Sequence, residues 1–396
     1  MVRSTSANKN LLGRIFSRQR FSHGALLLAA CFGATFAVHG QGIASRVPKS
    51  PTQEPLADQL AIQIHDDRLT LAVAKAPQVY LYGVIDADAP HRVEALIKSW
   101  KIPSGSDIYL DSPGGDLTAA LALGRLFRAG SMATHLGAPR LTHRSPAIPR
   151  AAICVGACAY AYLGGLYRWA PTGNDRFGLR SFYATDPKTD DAAKVQQSSS
   201  DVVAYLKEMG IYPNVFTSAL ATSHDEIVWL SADQMFAKWL TNNGQLPLTA
   251  ANQWSSGAPN LVLNQIVRGG VNRITLLCRP EGLTLTAYYM VGVSRARQIV
   301  AHGIRPHFEV DQQEVQPQQG GSASVLNEAV VISHPYTFAQ LEQLLEARTL
   351  GAWVIDRTNA MRYGFIFGLD AVKSTIRDYY ATCQQTLQRS GTQKPR

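Results

Sequence analysis

Residues Ile108 to Phe127 read IYLDSPGGDLTAALALGRLF, and the fold of the first half of the chain turns on them. Ile108, Tyr109 and Leu110 are strand formers, Pro113, Gly114 and Gly115 break the run, and apolar residues from Leu117 to Phe127 recur at helical spacing. The stretch predicts a strand, a tight glycine turn and a helix N-terminus. Such a turn leaves backbone N–H groups unpaired beside the positive end of a helix, where an oxyanion or phosphate can be held. A purely structural strand-to-helix turn has the same pattern, and Gly-Gly alone does not separate the two.

The same unit recurs on either side. Val79 to Ile85 reads as a strand followed by a helix from Ala89 to Trp100, and Leu69 to Val73 as a strand before it. Met132 to Leu136 gives a further strand. Ala151 to Gly165, AAICVGACAYAYLGG, starts as a strand, turns at Gly156 and continues as a helix of small residues, the natural partner of the first turn. Arg176 to Tyr183 reads as a strand, Asp186 to Ser200 as a polar mobile segment, and Val202 to Met209 and Val215 to Ala221 as helices. Ser231 with Gln234 forms a capping box before a helix from Asp233 to Leu240. Strands alternating with helices at this spacing predict βαβ crossovers and an α/β class.

Between Gly137 and Arg150, residues Arg140, His143, Arg144 and Arg150 share one loop, read as a solvated surface with a rim for acidic ligands as the rival. Residues 45–64 and 251–260 read as linkers, which bounds the first domain at 65–250 and a second at 261–390. Strands at Arg273–Cys278, Leu283–Val291, Phe308–Val310 and Val325–Ile332, with helices at Thr337–Arg348 and Leu369–Thr386, make the second a smaller α+β domain. It shows no catalytic constellation.

With 396 residues, 46% hydrophobic and 17% charged, the chain is too apolar for disorder and long enough for two domains. The net charge of +9 suggests nucleic acid at first sight. Five of the basic residues, Arg3, Lys9, Arg14, Arg18 and Arg20, lie in an acid-free leader, however, and the remaining excess of about four excludes that class. The leader precedes the apolar run Gly24–Val38, which is short for a membrane span, so residues 1–44 read as a signal peptide or an N-terminal membrane anchor. Cleavage after Gly40 or Ala44, lipidation at Cys31 and an uncleaved anchor remain as alternatives. All three put the body in the periplasm or cell envelope.

Apart from Cys31, the cysteines are Cys154, Cys158, Cys278 and Cys383, an even set suited to an oxidising compartment. Proximity pairs Cys154 with Cys158 and leaves Cys278 and Cys383 to staple the second domain. A zinc site is the rival, and no histidine stands at ligand spacing. No metal and no cofactor are expected.

In order along the chain stand VYLYGVIDADAPHRVEALI, the SPGGD turn Ser112–Asp116, CVGAC at Cys154–Cys158, FGLRSF at Phe177–Phe182, MGIYPNVF and WLSADQMF. Over about residues 65 to 245 this set resembles the Clp protease and crotonase superfamily, most closely the secreted Clp-like proteins of bacterial envelopes. The resemblance implies a ClpP/crotonase-like spiral of βαβ units, an oxyanion turn at Gly114 and Gly115, and a homo-oligomer.

It also implies a serine in the second turn, a histidine on the following strand and an acid further on. Here Gly156 stands in the serine position and Arg180 in the histidine position. Asp225, or Glu226 beside it, lies slightly off the place of the acid. Glycine has no nucleophile, and arginine stays protonated and cannot serve as a base. Cys154 or Cys158 as a thiol nucleophile, Ser181, and His135 or His143 are the other groups in range, and each has a structural reading. Arg180 suits a carboxylate, such as a peptide C-terminus, or an ion pair with Asp225 or Glu226. Two readings follow. One is a secreted pseudoenzyme that binds or scaffolds a peptide or protein ligand. The other is a crotonase-like or serine-peptidase-like hydrolase that uses the retained oxyanion turn with a non-standard group.

Overall fold

The structure, a computed structural model, describes residues 58–74, 76–139, 150–180, 192–216, 226–280 and 282–392. The leader, His143, Ser181 and Asp225 lie outside them.

Strands β1 (Ala61–His65), β2 (Gln78–Tyr82), β3 (Asp107–Asp111), β4 (Ala133–Leu136) and β6 (Tyr167–Arg168) form a sheet in the order β1-β2-β3-β4-β6. From β2 onward every pairing is parallel, with Leu81 opposite Leu110 and Leu110 opposite Leu136. Helices α2 (Ala89–Lys98), α3 (Leu117–Ala129) and α4 (Ala157–Leu163) make the crossovers that the alternating pattern predicted. In a second sheet, β5-β7-β8, the central strand β7 (Arg176–Leu179) pairs in parallel with β5 (Ile153–Val155) and antiparallel with β8 (Val228–Leu230). A single parallel bridge, Ser112 to Cys154, links the two sheets where β3 runs on past its last residue.

The core follows from the sequence periods. Val79, Leu81, Ile108 and Leu110 are buried to within 1% on one side of the sheet, and α3 lays Ala120, Leu123 and Phe127 against them. The Asp116 side chain caps α3 by accepting from the Ala119 N–H at 2.7 Å. On the other side of the sheet, one ring from each strand region forms a row: His65, Tyr80, Tyr109, His135 and Trp169, with successive centroids 5.4, 4.7, 4.7 and 5.8 Å apart. His135 belongs to this row, and its Nε2 lies 2.9 Å from Asp107 Oδ1.

A second core begins at Leu248 and ends at Cys383, within the same compact unit. Its six-stranded antiparallel sheet contains β9 (Thr249–Ser255), β10 (Ala258–Val267), β11 (Gly270–Arg279), β12 (Gly282–Met290), β15 (Ser324–Leu326) and β16 (Ala329–Tyr336). A four-stranded sheet contains β13 (Gly303–Val310), β14 (Gln313–Val315), β17 (Thr349–Asp356) and β18 (Arg362–Gly368). The helices from α5 onward are α5 (Ala192–Glu208), α6 (Ala232–Ala237), α7 (Val293–His302), α8 (Phe338–Glu346) and α9 (Lys373–Thr392). Cys278 on β11 is bonded to Cys383 on α9, as the leftover pairing predicted.

The local readings need four corrections. Leu69–Val73 is not a strand but lies in helix α1 (Arg68–Ala74), because the Asp67 carboxylate accepts from the N–H groups of Leu69 and Thr70 and caps a helical turn. The stretch 45–64, read as linker, contributes most of β1, and Leu60 just before it is tied down by Asp86 and Arg92. The stretch 251–260, also read as linker, is a hairpin: Ser256 and Gly257 take φ of 51° and 79°, which turns β9 directly into β10. The polar segment up to Ser200 is helical from Ala192, since Val202, Tyr205 and Leu206 carry one helix into the core.

Candidate functional site

The first turn is built so that only glycine fits. Gly114 and Gly115 have φ of 111° and 138°. A side chain at Gly115 would collide with the Ile85 carbonyl, and a Cβ at Gly114 would stand 2.9 Å from the Val155 carbonyl. These contacts come from two backbone connections. Ile85 N–H donates to Gly114 O at 2.8 Å while Asp116 N–H donates to Ile85 O at 2.7 Å. Ser112 N–H donates to Ile153 O at 2.7 Å, and Val155 N–H returns to Ser112 O at 3.2 Å. The Gly114 N–H, one of the donors expected of an oxyanion turn, points inward to Ser112 Oγ at 3.1 Å.

The second turn meets the first. A Cβ on Gly114 would lie 3.9 Å from Gly156 Cα, so the two glycine turns named by the sequence are in contact. Gly156 has φ 58° and ψ −120°, its N–H donates to Gly178 O at 3.3 Å, and α4 starts at the next residue. The Cys154–Cys158 disulfide straddles it with Cα atoms 5.2 Å apart, which removes both sulfurs as thiol nucleophiles. Gly156 is buried, yet a Cβ there would find nothing nearer than Arg180 Nε at 3.8 Å and Nη2 at 3.9 Å. The glycine therefore answers to conformation rather than crowding.

Arg180 follows β7 directly, and β7 lies beside β5, so the strand pairing delivers its guanidinium over the second turn. It is half-buried, and among the described residues it has no carboxylate partner; Glu226 is exposed and does not pair with it. The structure thus brings together Gly114, Gly156 and Arg180, and leaves Glu226 and His135 outside the group.

Sequence reasoning missed the carboxylates beneath the turn. Asp111, 1% exposed, accepts from Ile153 N–H at 3.0 Å and pairs with Arg150, which is an ion-pair partner and not merely part of a solvated loop. Asp175 accepts from Ala152 N–H at 2.7 Å. Burial pushes the Asp111 carboxyl up, and the Ile153 N–H and Arg150 counter it only in part. Burial also raises Asp175, aided by the Asp111 charge and opposed by the Ala152 N–H. Two carboxylates therefore grip successive amides at the start of β5. The available signal was an aspartate ending a buried strand, one residue before the Ser-Pro-Gly-Gly turn.

Chemically, the group offers a fixed cation beside a strained glycine turn. It holds no nucleophile and no base among the described residues.

No family model and no curated protein matches the chain. Among solved structures, ClpP1 from Listeria monocytogenes is similar at 13% identity and a TM-score of 0.30, over 41% of this chain and 88% of that one. A mutant of ClpP1 from the same organism gives 15% identity and 0.32 over 44% and 93%. A membrane-bound stomatin-specific protease gives 15% and 0.29 over 41% and 75%. The likeness is to ClpP-type proteases over less than half of the chain, and at these values it assigns no role to any residue. Two disulfides fit an extracellular or periplasmic protein, and among the described residues no helix is long and apolar enough to cross a membrane.

Proposed function

We propose that the chain is a secreted, non-catalytic module built on a ClpP/crotonase-like spiral, which binds the carboxylate of a peptide or protein ligand through Arg180. The observation that carries this reading is the Arg180 guanidinium, 3.8 Å from the point where a side chain at Gly156 would begin. A hydrolase needs a nucleophile with a base in hydrogen-bond reach. Here one position has no side chain, and the other carries a permanent cation that donates and never accepts. A half-buried guanidinium that has no carboxylate partner among the described residues is suited to a planar anion by two parallel hydrogen bonds. Self-association and attachment to the envelope through the N-terminus belong to the same proposal.

The test treats the purified protein and a Gly156→Ser, Arg180→His double variant with a fluorophosphonate probe. The expected result is no labelling of the wild type and labelling of the variant at residue 156. Labelling of the wild type at any serine of the first domain overturns the reading. In parallel, a peptide with a free C-terminal carboxylate is expected to bind the wild type better than its amidated form, with the preference lost in Arg180→Gln.

A further inference from the structure

Helix α6 closes with Trp239 N–H donating to Phe236 O at 3.0 Å and Leu240 N–H donating to Met235 O at 2.9 Å. This double closure requires a left-handed residue between the helix and Leu240, a place ordinarily taken by glycine or asparagine. The residue there is Trp239, with φ 59°. A bulky side chain in that conformation is strained relative to glycine. The indole does not recover this by packing: it is 52% exposed, whereas the closing residues Met235 and Leu240 are fully buried. The backbone is nevertheless pinned, because the buried Arg168 donates to Trp239 O at 3.2 Å and Leu240 O at 2.9 Å. A strained residue is thus held firmly so that its ring reaches solvent.

Tyr212, 68% exposed, lies by the same opening. The two rings line one open groove of about 270 Å³ together with Asn214, Val215, Ala237 and Lys238. The Tyr212 wall is rigid as well: Phe216, at the end of the same turn, is buried and stacks on Tyr160 of α4 at 5.4 Å.

The chemistry of the walls selects the occupant. An extended peptide is held by an unpaired strand edge, and these walls are a 3₁₀ turn and a helix end. A drug-like apolar ligand needs a mostly apolar enclosure, and a nucleic acid needs a track of cations; the groove is open, and among the described residues Lys238 is the one cation that lines it. A pyranose ring matches: its C–H face lies on indole or phenol, and its hydroxyl rim meets an amide and an ammonium. The Lys238 charge favours a sugar bearing a carboxylate. We propose that the groove between Tyr212 and Trp239 binds an acidic oligosaccharide.

The test is calorimetric titration of the full chain with oligogalacturonate, an N-acetylmuramic-acid disaccharide, chitotriose and cellohexaose, alongside melting curves. Saturable binding of at least one carboxylate-bearing glycan, tighter than the neutral ones, is expected. Trp239→Gly should weaken it about tenfold or more, the loss of one stacked ring, while the melting temperature stays level or rises because glycine relieves the backbone. Lys238→Gln should remove the preference for the acidic probes. Absence of saturable glycan binding, or binding unchanged in Trp239→Gly, overturns the proposal. So does binding of an unstructured peptide that is lost in Trp239→Gly while no glycan binds.

Discussion

The Arg268 guanidinium, on the β10–β11 turn of the second core, pairs with the Asp107 carboxylate at the start of β3 in the first. Its Nη2 also donates to Gly105 O at 3.1 Å, and Asp107 is 6% exposed. This contact ties the second sheet to the row of rings through His135, which shares Asp107. Arg268→Ala leaves a buried carboxylate with less compensation, and a loss of about 1–3 kcal/mol is expected in urea unfolding. A loss below 0.5 kcal/mol would show that the pair contributes only at the level of a surface ion pair.

The two glycine turns should respond differently to alanine. Gly115→Ala meets both a positive φ and the Ile85 backbone, whereas Gly156→Ala meets the conformation alone. Expected losses are more than about 2 kcal/mol for Gly115→Ala, from strain plus overpacking, and roughly 1–2 kcal/mol for Gly156→Ala. Equal losses in denaturant titrations would contradict the assigned contacts.

The disulfides close loops of very different length, with separations of 4 residues for Cys154–Cys158 and 105 for Cys278–Cys383. In the chain-entropy account the short loop contributes roughly 2 kcal/mol and the long one about 4–5 kcal/mol. Paired serine substitutions, compared by thermal unfolding, should therefore show the larger drop for Cys278 and Cys383.

Acid should weaken the second core. His334 is 1% exposed, both its ring nitrogens lack a hydrogen-bond partner among the described residues, and burial first, then the nearby His307, lower its pKa from the ordinary 6.5. Because the unfolded chain then binds a proton more readily than the native one, stability is full above about pH 6.5 and falls as pH drops below it. Melting temperatures from about pH 7.5 to 5.5 should decline less steeply in His334→Phe than in the wild type. Parallel slopes would assign the acid sensitivity elsewhere.

Much of the first half was legible because its signals are local. Pro113-Gly114-Gly115 and Gly156 stop strands and start helices by backbone chemistry alone, and Cys154 and Cys158 are close enough in sequence to pair without knowledge of the fold. Leu69–Val73 misled because Leu-Thr-Leu-Ala-Val has strand propensity, and the deciding group, Asp67, lies outside the run and acts through its side chain. The Ser256-Gly257 hairpin was hidden by the polar residues of β9, whose outer face is solvated at a sheet edge. At the candidate site, Gly156 and Arg180 could be named from order along the chain. The grip of Asp111 and Asp175 on β5 could not, since it depends on residues 42 and 23 positions from their partners.

The row from His65 to Trp169 crosses every strand of the first sheet, one ring per strand region. Tyr80 faces Tyr109 and Tyr109 faces His135 only in the observed register. A slip by a single residue would send one ring of each pair to the opposite side. The row is consequently an optical gauge of strand alignment, readable by near-ultraviolet circular dichroism during refolding without any added label.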